Sequence, residues 1–445
     1  MTRTRRMTAV LVAAFLAVAL ATALPVRAGD ASADENGFRI TEGDTFSLDM
    51  HFLVQFQGVR DKLRTDVRGS YWEWRDRIGV PDTPQSSTTP ATDSFNVRRA
   101  RVIFTGKAFQ PWLSFRVEIE SSSRETSDPD LMDAYVRLGG DRGFAATIGQ
   151  FKAPFDIFRL TRSWKQLFAE RPLPADQLAP GRDIGLGLDW RSESGRYLFQ
   201  VAAQNGSGRN LPDTDDGIMT TVRFELQNEG GFPYDLSGVT RPEELQYTVG
   251  IAWLNNPVGG LVDADSHSTC LPGISRKCVY DKSDQQALEL FGAVRARGFQ
   301  ATFSWQSWTF EDGRVVSADG KTADRDFSAL EVEAGFFVAE KFEVAGIYSW
   351  TEDDDYTLGD RLIVRTVSGD EYAIDRRDKY ETKQFGLGIN WYLDEHNLKL
   401  HVGWLKSRQV IRSKATVRPD GLTFGHDGRL RYEVPSIYAM LSFYL

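Results

Sequence analysis

Residues 46–57 read Phe46-Ser47-Leu48-Asp49-Met50-His51-Phe52-Leu53-Val54-Gln55-Phe56-Gln57. Phe46, Leu48, Met50, Phe52, Val54 and Phe56 share one parity, and Ser47, Asp49, His51, Leu53, Gln55 and Gln57 take the other. Successive side chains of a strand point to opposite faces, so this stretch predicts a strand with one apolar and one wet face. The alternation returns throughout the chain. Ala100, Val102 and Phe104 stand against Arg99, Arg101 and Ile103; Met132, Ala134, Val136 and Leu138 against Asp133, Tyr135 and Arg137. Ile184 to Trp190, Leu245 to Trp253, Phe342 to Trp350 and Phe385 to Leu393 repeat it. With weaker segments around 144–151, 288–295 and 330–337, the reading reaches about sixteen strands.

Alternation alone also fits a soluble sandwich, which wets one face of each sheet. Four features favour a membrane instead. Phe46, Trp190, Trp253, Trp305, Trp350 and Trp391 sit at the ends of apolar stripes, where rings meet a membrane–water interface. Gly and Ala recur on those stripes, which lipid tolerates better than a close-packed core. Short connections (139–143, 394–397) alternate with long ones (61–93, 152–182, 255–285, 352–380). The last stripe, Ile437, Ala439, Leu441, Phe443 and Leu445, runs to the end of the sequence given, as a strand that pairs with the first would. No segment after the N-terminus is long and apolar enough for a spanning helix, so a spanning chain must close its strands on one another. The expected fold is all-β: a transmembrane antiparallel β-barrel with long outer loops, one of them, 152–182, folded inward as a constriction. The rivals are a soluble exported β-rich carbohydrate-binding protein and a plugged structural barrel.

The N-terminus predicts export. Arg3, Arg5 and Arg6 precede an apolar run from Ala9 to Leu24, and Val26-Arg27-Ala28 supplies the small residues a signal peptidase reads. This makes 1–28 a cleaved signal peptide, 29–44 a short polar periplasmic segment and 45–445 the barrel. The signal holds four Arg and no acid, so removing it leaves 49 basic against 62 acidic residues, a net charge of −13. Such a chain has no general attraction for nucleic acid. Cys270 and Cys278 lie in a polar stretch that would meet an oxidising compartment, which predicts a local disulfide over a metal site. Asp353-Asp354-Asp355 reads as a solvated acidic loop before a calcium site. No nucleophile motif accompanies the five His, and neither an enzyme nor a cofactor is expected.

Several stretches match something specific. Arg98-Arg99-Ala100-Arg101-Val102 leading to Gly106-Lys107 resembles the early strands of the phosphate-selective porin O and P family. So do Leu131-Met132-Asp133-Ala134-Tyr135-Val136 and Ile148-Gly149-Gln150-Phe151-Lys152-Ala153-Pro154-Phe155. Phe168-Ala169-Glu170-Arg171-Pro172-Leu173-Pro174, Gly181-Arg182-Asp183-Ile184-Gly185 and Asn205-Gly206-Ser207-Gly208 look like its next blocks. The strong likeness covers residues 95–208. The Gly-Gln-Phe-Lys-x-Pro-Phe string is its most specific part, and ending on Leu445 instead of Phe departs from common usage. The resemblance implies an outer-membrane, commonly trimeric barrel of sixteen strands with loops folded into the pore. It implies basic residues along that pore in anion-selective members, without fixing phosphate as the solute here.

A pore does no covalent chemistry; width, charge and water structure at its narrowest point set its function. Loop 152–182 carries Lys152, Arg159, Arg162, Lys165, Arg171 and Arg182 against Asp156, Glu170 and Asp176. The wall segment 95–124 adds Arg98, Arg99, Arg101, Lys107, Arg116 and Arg124 against Glu118 and Glu120. Both are positive within an acidic chain. Arg99, Arg101, Arg116, Lys152, Arg159, Arg162, Lys165 and Arg171 are therefore the candidate anion-binding residues, since clustered guanidinium groups meet anions with forked hydrogen bonds. The competing reading is that Glu118 and Glu120 merely neutralise their neighbours across the strand pair. Arg98 has the lipid-facing parity and is expected to snorkel. Glu225, Glu289, Glu331, Glu333 and Glu343 on other wet faces leave a mixed or weakly cation-selective pore open. The expected partners are outer-membrane lipid and small hydrophilic solutes, inorganic anions such as phosphate among them.

Overall fold

The computed structural model describes residues 30–445 apart from 35–36, 43–44, 70–85, 89, 123–125, 212–216, 258–283, 316–321, 356, 366–370 and 419–423. The predicted signal peptide and the pair Cys270 and Cys278 lie outside the described residues. The first strands are β1 (Asp30–Asp34), β2 (Gly37–Glu42), β3 (Phe46–Asp61), β4 (Arg64–Gly69), β5 (Ser86–Thr88), β6 (Thr92–Ala108) and β7 (Gln110–Ser122). Next come β8 (Thr126–Gly139), β9 (Gly143–Lys152), β10 (Arg182–Arg191), β11 (Tyr197–Gln204), β12 (Met219–Gln227), β13 (Gln246–Asn256) and β14 (Gln285–Ala296). The last are β15 (Phe299–Val315), β16 (Thr322–Ala339), β17 (Phe342–Asp353), β18 (Thr357–Arg365), β19 (Glu371–Asp394), β20 (Leu398–Arg418) and β21 (Phe424–Tyr444). Between β9 and β10 the chain forms two short helices, α1 (Ile157–Leu160) and α2 (Leu173–Gln177).

Among the described residues, sixteen strands close a ring. β3 pairs with β6, each strand then pairs with the next as far as β17, and β19, β20 and β21 follow. β21 returns to β3, from Ser436 opposite Asp61 to Tyr444 opposite Leu53, and every pairing is antiparallel. The expected barrel of about sixteen strands is the one found. The other five strands are additions. The β1–β2 hairpin lies along the start of β3 below the end of β21. β4 and β5 extend the wall beside β21, and β18 pairs with β19. Connection 352–380, expected as a long loop, is thus largely strand. Asp353 ends β17 buried against Arg325, with Nη2 to Oδ2 at 2.7 Å, which takes it out of the solvated acidic loop.

The two faces decide between membrane and sandwich. Phe56, Ile148, Leu188, Leu387, Ile389 and Ile437 are exposed on the outside, while Gln55, Arg223, Glu289, Ser304 and His401 are buried inside. A soluble sandwich would turn its apolar stripes toward each other; here they point away from the ring, as lipid requires. Rings gather at the short-turn end, where Phe144 stands 6.5 Å from Trp190 and Phe342 stacks on Trp391 at 5.7 Å. Trp253, Trp305 and Trp350 sit on the alternate strands β13, β15 and β17 toward the other end.

Two strand irregularities overturn parity expectations. In β6, Arg99 faces Gln55 and Val97 faces Phe56, so Arg98 is an extra residue in a β-bulge. A bulge turns two successive side chains to one face. Arg98 and Arg99 are both buried inside the barrel, and Arg98 does not snorkel. In β8 the pairing steps from Asp133 to Leu131, so Met132 is the extra residue and also points inward, off the lipid-facing stripe assigned to it.

Candidate functional site

The Gly-Gln-Phe-Lys-x-Pro-Phe string launches loop 153–181 into the lumen. Gly149 has φ +126°, and a Cβ there would lie 2.2 Å from the Ala134 carbonyl oxygen. Gln150 Nε2 donates to the Leu131 and Met132 carbonyls, both at 2.8 Å, and so holds the β8 bulge open. Lys152 Nζ donates to the carbonyls of Arg159 (2.7 Å), Leu160 (2.9 Å) and Thr161 (3.3 Å), closing the end of α1. Phe155 is buried edge-on to Trp308, 5.4 Å between centroids. Asp156 caps α1 by accepting from Arg159 N at 2.8 Å.

The loop then docks on an acidic arc of wall. Glu289 on β14 accepts from Asp156 N (2.9 Å) and Ile157 N (3.0 Å). Glu331 on β16 accepts from Ala175 N at 2.6 Å. Asn390 and Lys399, on β19 and β20, donate to the Leu167 and Gln166 carbonyls at 2.9 and 3.0 Å. Beneath the polar anchors, Ile157, Phe158, Leu167 and Phe168 pack with Phe291, Ala345, Ile347 and Met440. A buried backbone N–H without an acceptor is costly, so carboxylates on this wall serve the loop. Glu289 and Glu331, read from sequence as wet-face charges, are fully buried and engaged in this way.

A second inward loop was not foreseen. Residues 228–245 leave the short-turn end and fold up into the lumen, burying Phe232 and Leu236 in the same cluster. Leu236 N donates to the Lys165 carbonyl at 3.0 Å, joining the two loops. Tyr234 donates to Glu225, and Gly238 N donates to Glu343 Oε1 at 3.2 Å. Asp235 Oδ1 meets His396 Nε2 at 2.8 Å, and Lys399 Nζ lies 3.2 Å from His396 Nδ1. Burial lowers the His396 pKa below its ordinary value. Burial alone would raise Asp235, but His396 beside it outweighs that and holds it below the usual carboxylate range. Phe232, Tyr234 and Leu236, spaced two apart within this connection, were the available signal for the loop.

The open lumen lies on the other side of the first loop, as a cavity of ≈ 1080 Å³. Among the described residues its lining holds eleven basic side chains and seven acidic ones. Much of that charge is paired. Glu118 accepts from Arg101 (2.8 Å) and Arg116 (2.5 Å) and lies 3.5 Å from Arg182. Arg101 also meets Glu120 at 2.5 Å, and Asp133 meets Arg116 at 3.0 Å and Arg182 at 2.5 Å. Arg98 makes a forked pair with Glu170 at 2.6 and 2.7 Å, while Arg99 donates to Gln55 at 2.9 Å. Arg159 meets Asp176 at 2.9 Å.

Among the described residues, three candidates line the cavity with no ion pair to a carboxylate: Lys152, held by the carbonyls at the end of α1, Arg171 and Arg162. Arg171 donates to the Phe158 and Thr161 carbonyls, both at 3.0 Å. Arg162 is exposed and stands 5.3 Å from the centre of the Trp164 ring. Trp164 stacks in turn on Tyr444 at 4.5 Å. Lys165 is not on this lining; its charge faces Asp235 and His396. The structure therefore brings seven of the eight candidates to one cavity and leaves Lys165 beneath the loop. Arg182, Arg137 and Arg209 join the lining from outside the candidate set, with Arg98 turned inward by its bulge.

Residues 77–250 match the family model described as phosphate-selective porin O and P. That segment belongs to the porin O and P family. It contains the loop-launching string, the β6 and β8 bulges and the arginine arc, and the chain is an outer-membrane β-barrel porin. Among solved structures, the chain is similar to the anion-selective porin from Comamonas acidovorans, with 13% identity over 89% of this chain and 100% of that one at a TM-score of 0.49. It is similar to OmpT of Vibrio cholerae in its trimer form, with 9% identity over 88% and 99% at 0.47. It is also similar to Salmonella typhi OmpF in complex with daunomycin, with 12% identity over 91% and 99% at 0.44. No curated protein matches the sequence.

Proposed function

We propose that this porin passes small hydrophilic solutes with a preference for anions, inorganic phosphate among the candidates. The observation that carries the reading is the excess of eleven basic over seven acidic side chains around the cavity described above, with Arg162 exposed there. In a confined space with low-dielectric walls an uncompensated guanidinium raises the local anion concentration. The acids on the opposite arc lie off this lining, with Glu289 and Glu331 buried against the loop backbone. The same reading has residues 1–28 removed on export and three copies of the barrel in the outer membrane. The test is the reversal potential of the purified porin in a planar bilayer under a potassium chloride gradient. A chloride permeability above that of potassium supports the reading; equal or inverted permeabilities contradict it.

The packing of Leu53, Ile103 and Trp164 beneath the cavity favours one rival, a barrel plugged for a structural role. The same bilayer distinguishes it, because a plugged barrel gives no unit conductance steps.

A further inference from the structure

The cavity is not uniformly polar. Its arginine arc is built from β6 to β10, but the neighbouring arc on β20, β21 and β3 presents Leu405, Val434 and Val59, with Leu63 just beyond β3. These residues occupy the inward parity, where a water-filled pore would be expected to carry polar side chains. They are half-buried and lie close together on adjoining strands, with Ser407, Ser436 and Asp61 between them: Val434 pairs with Ser407, Leu405 with Ser436, and Ser436 with Asp61. Loop 153–181 adds Leu173 and Leu178 to the same space. Resting on the anion preference argued above, we propose that the favoured solutes are amphiphilic organic anions: a carboxylate on a compact apolar or aromatic body.

The physical argument is one of complementarity. A small inorganic anion gains from the guanidinium arc alone, and beside the apolar arc it loses hydration with nothing in exchange. An anion with an apolar body sets its carboxylate toward Arg162 and Arg171 and removes its body, with the facing side chains, from water. A cavity of ≈ 1080 Å³ accepts such a solute together with water. Val59 and Leu405 also touch the cluster that seats the loop, so seating the loop accounts in part for those two. Leu63 and Val434 are not among the described residues packed against that cluster.

The experiment uses the purified porin in planar bilayers. The concentrations of benzoate, acetate and inorganic phosphate that halve the chloride current are compared. Benzoate is expected to act at roughly tenfold lower concentration than acetate, as partial burial of one ring would give. In a Leu63→Ser, Val434→Ser variant that advantage should fall about threefold, with acetate and the chloride-to-potassium ratio unchanged. Equal effects of benzoate and acetate, or a variant that alters both alike, overturn the proposal. If the wild-type ratio shows chloride preference and benzoate gains nothing, this inference alone fails. If chloride is not preferred, the anion reading fails as well.

Discussion

The two arcs of the lumen use the same residue types to opposite ends. On β6 to β10 arginines and acids pair with each other and leave positive charge facing an open cavity. On β14, β16 and β17, Glu289, Glu331 and Glu343 accept from backbone N–H groups and hold two loops against the wall. A charge on a wet strand face is therefore not by itself a pore charge. What it meets, another side chain beside open water or the buried backbone of a loop, decides its function.

The largest effect should follow from breaking the hub of the open arc. Glu118→Ala leaves Arg101, Arg116 and Arg182 facing one another without their shared carboxylate. The expected loss is about 3–5 kcal/mol of stability, read from urea unfolding of the detergent-folded protein. A change within error would mean that these pairs are too well solvated to hold the wall.

On the closed arc, Glu289→Ala with Glu331→Ala strips acceptors from three loop N–H groups, at about 1–3 kcal/mol for each orphaned group. The loop should loosen while the barrel stays intact, raising single-channel conductance and exposing loop 153–181 to protease. An unchanged conductance would show that the apolar cluster alone seats the loop.

The comparison was only half legible in the sequence. The alternation of residues 46–57 and its repeats are backbone geometry, so the ring and its outward apolar face could be read directly. The bulges could also have been found: Phe95 and Val97 share one parity and Ala100 and Val102 the other, so an extra residue must sit between them. The docking partners could not. Glu289 meets Asp156 across more than a hundred residues, and nothing local to either marks the contact. Lys152 looks like a pore cation in sequence, yet it closes the end of α1 because the chain turns back over it.

A smaller effect concerns pH. His396 faces Asp235, Lys399 and Lys165, and its folded pKa lies below the unfolded value of about 6.5. The unfolded form then binds more protons at mildly acidic pH, so this latch is complete above about 6.5 and weakens as pH falls below it. Protection of the amides in residues 228–245, taken relative to the intrinsic exchange rate at each pH, should fall between about pH 7.5 and 5.5, and His396→Gln should flatten that dependence. Protection that rises on acidification would show that the protonated pair with Asp235 outweighs the burial of charge.

The most direct test of the division sets one residue of each arc against the other. Reversal potentials under a potassium chloride gradient would be recorded for the wild type, Arg162→Ala and Glu331→Gln in the same bilayers. The division predicts that Arg162→Ala moves the potential toward zero and that Glu331→Gln leaves it where the wild type stands. A shift on neutralising Glu331, with none on removing Arg162, would place the selectivity on the arc assigned to loop docking and contradict the account.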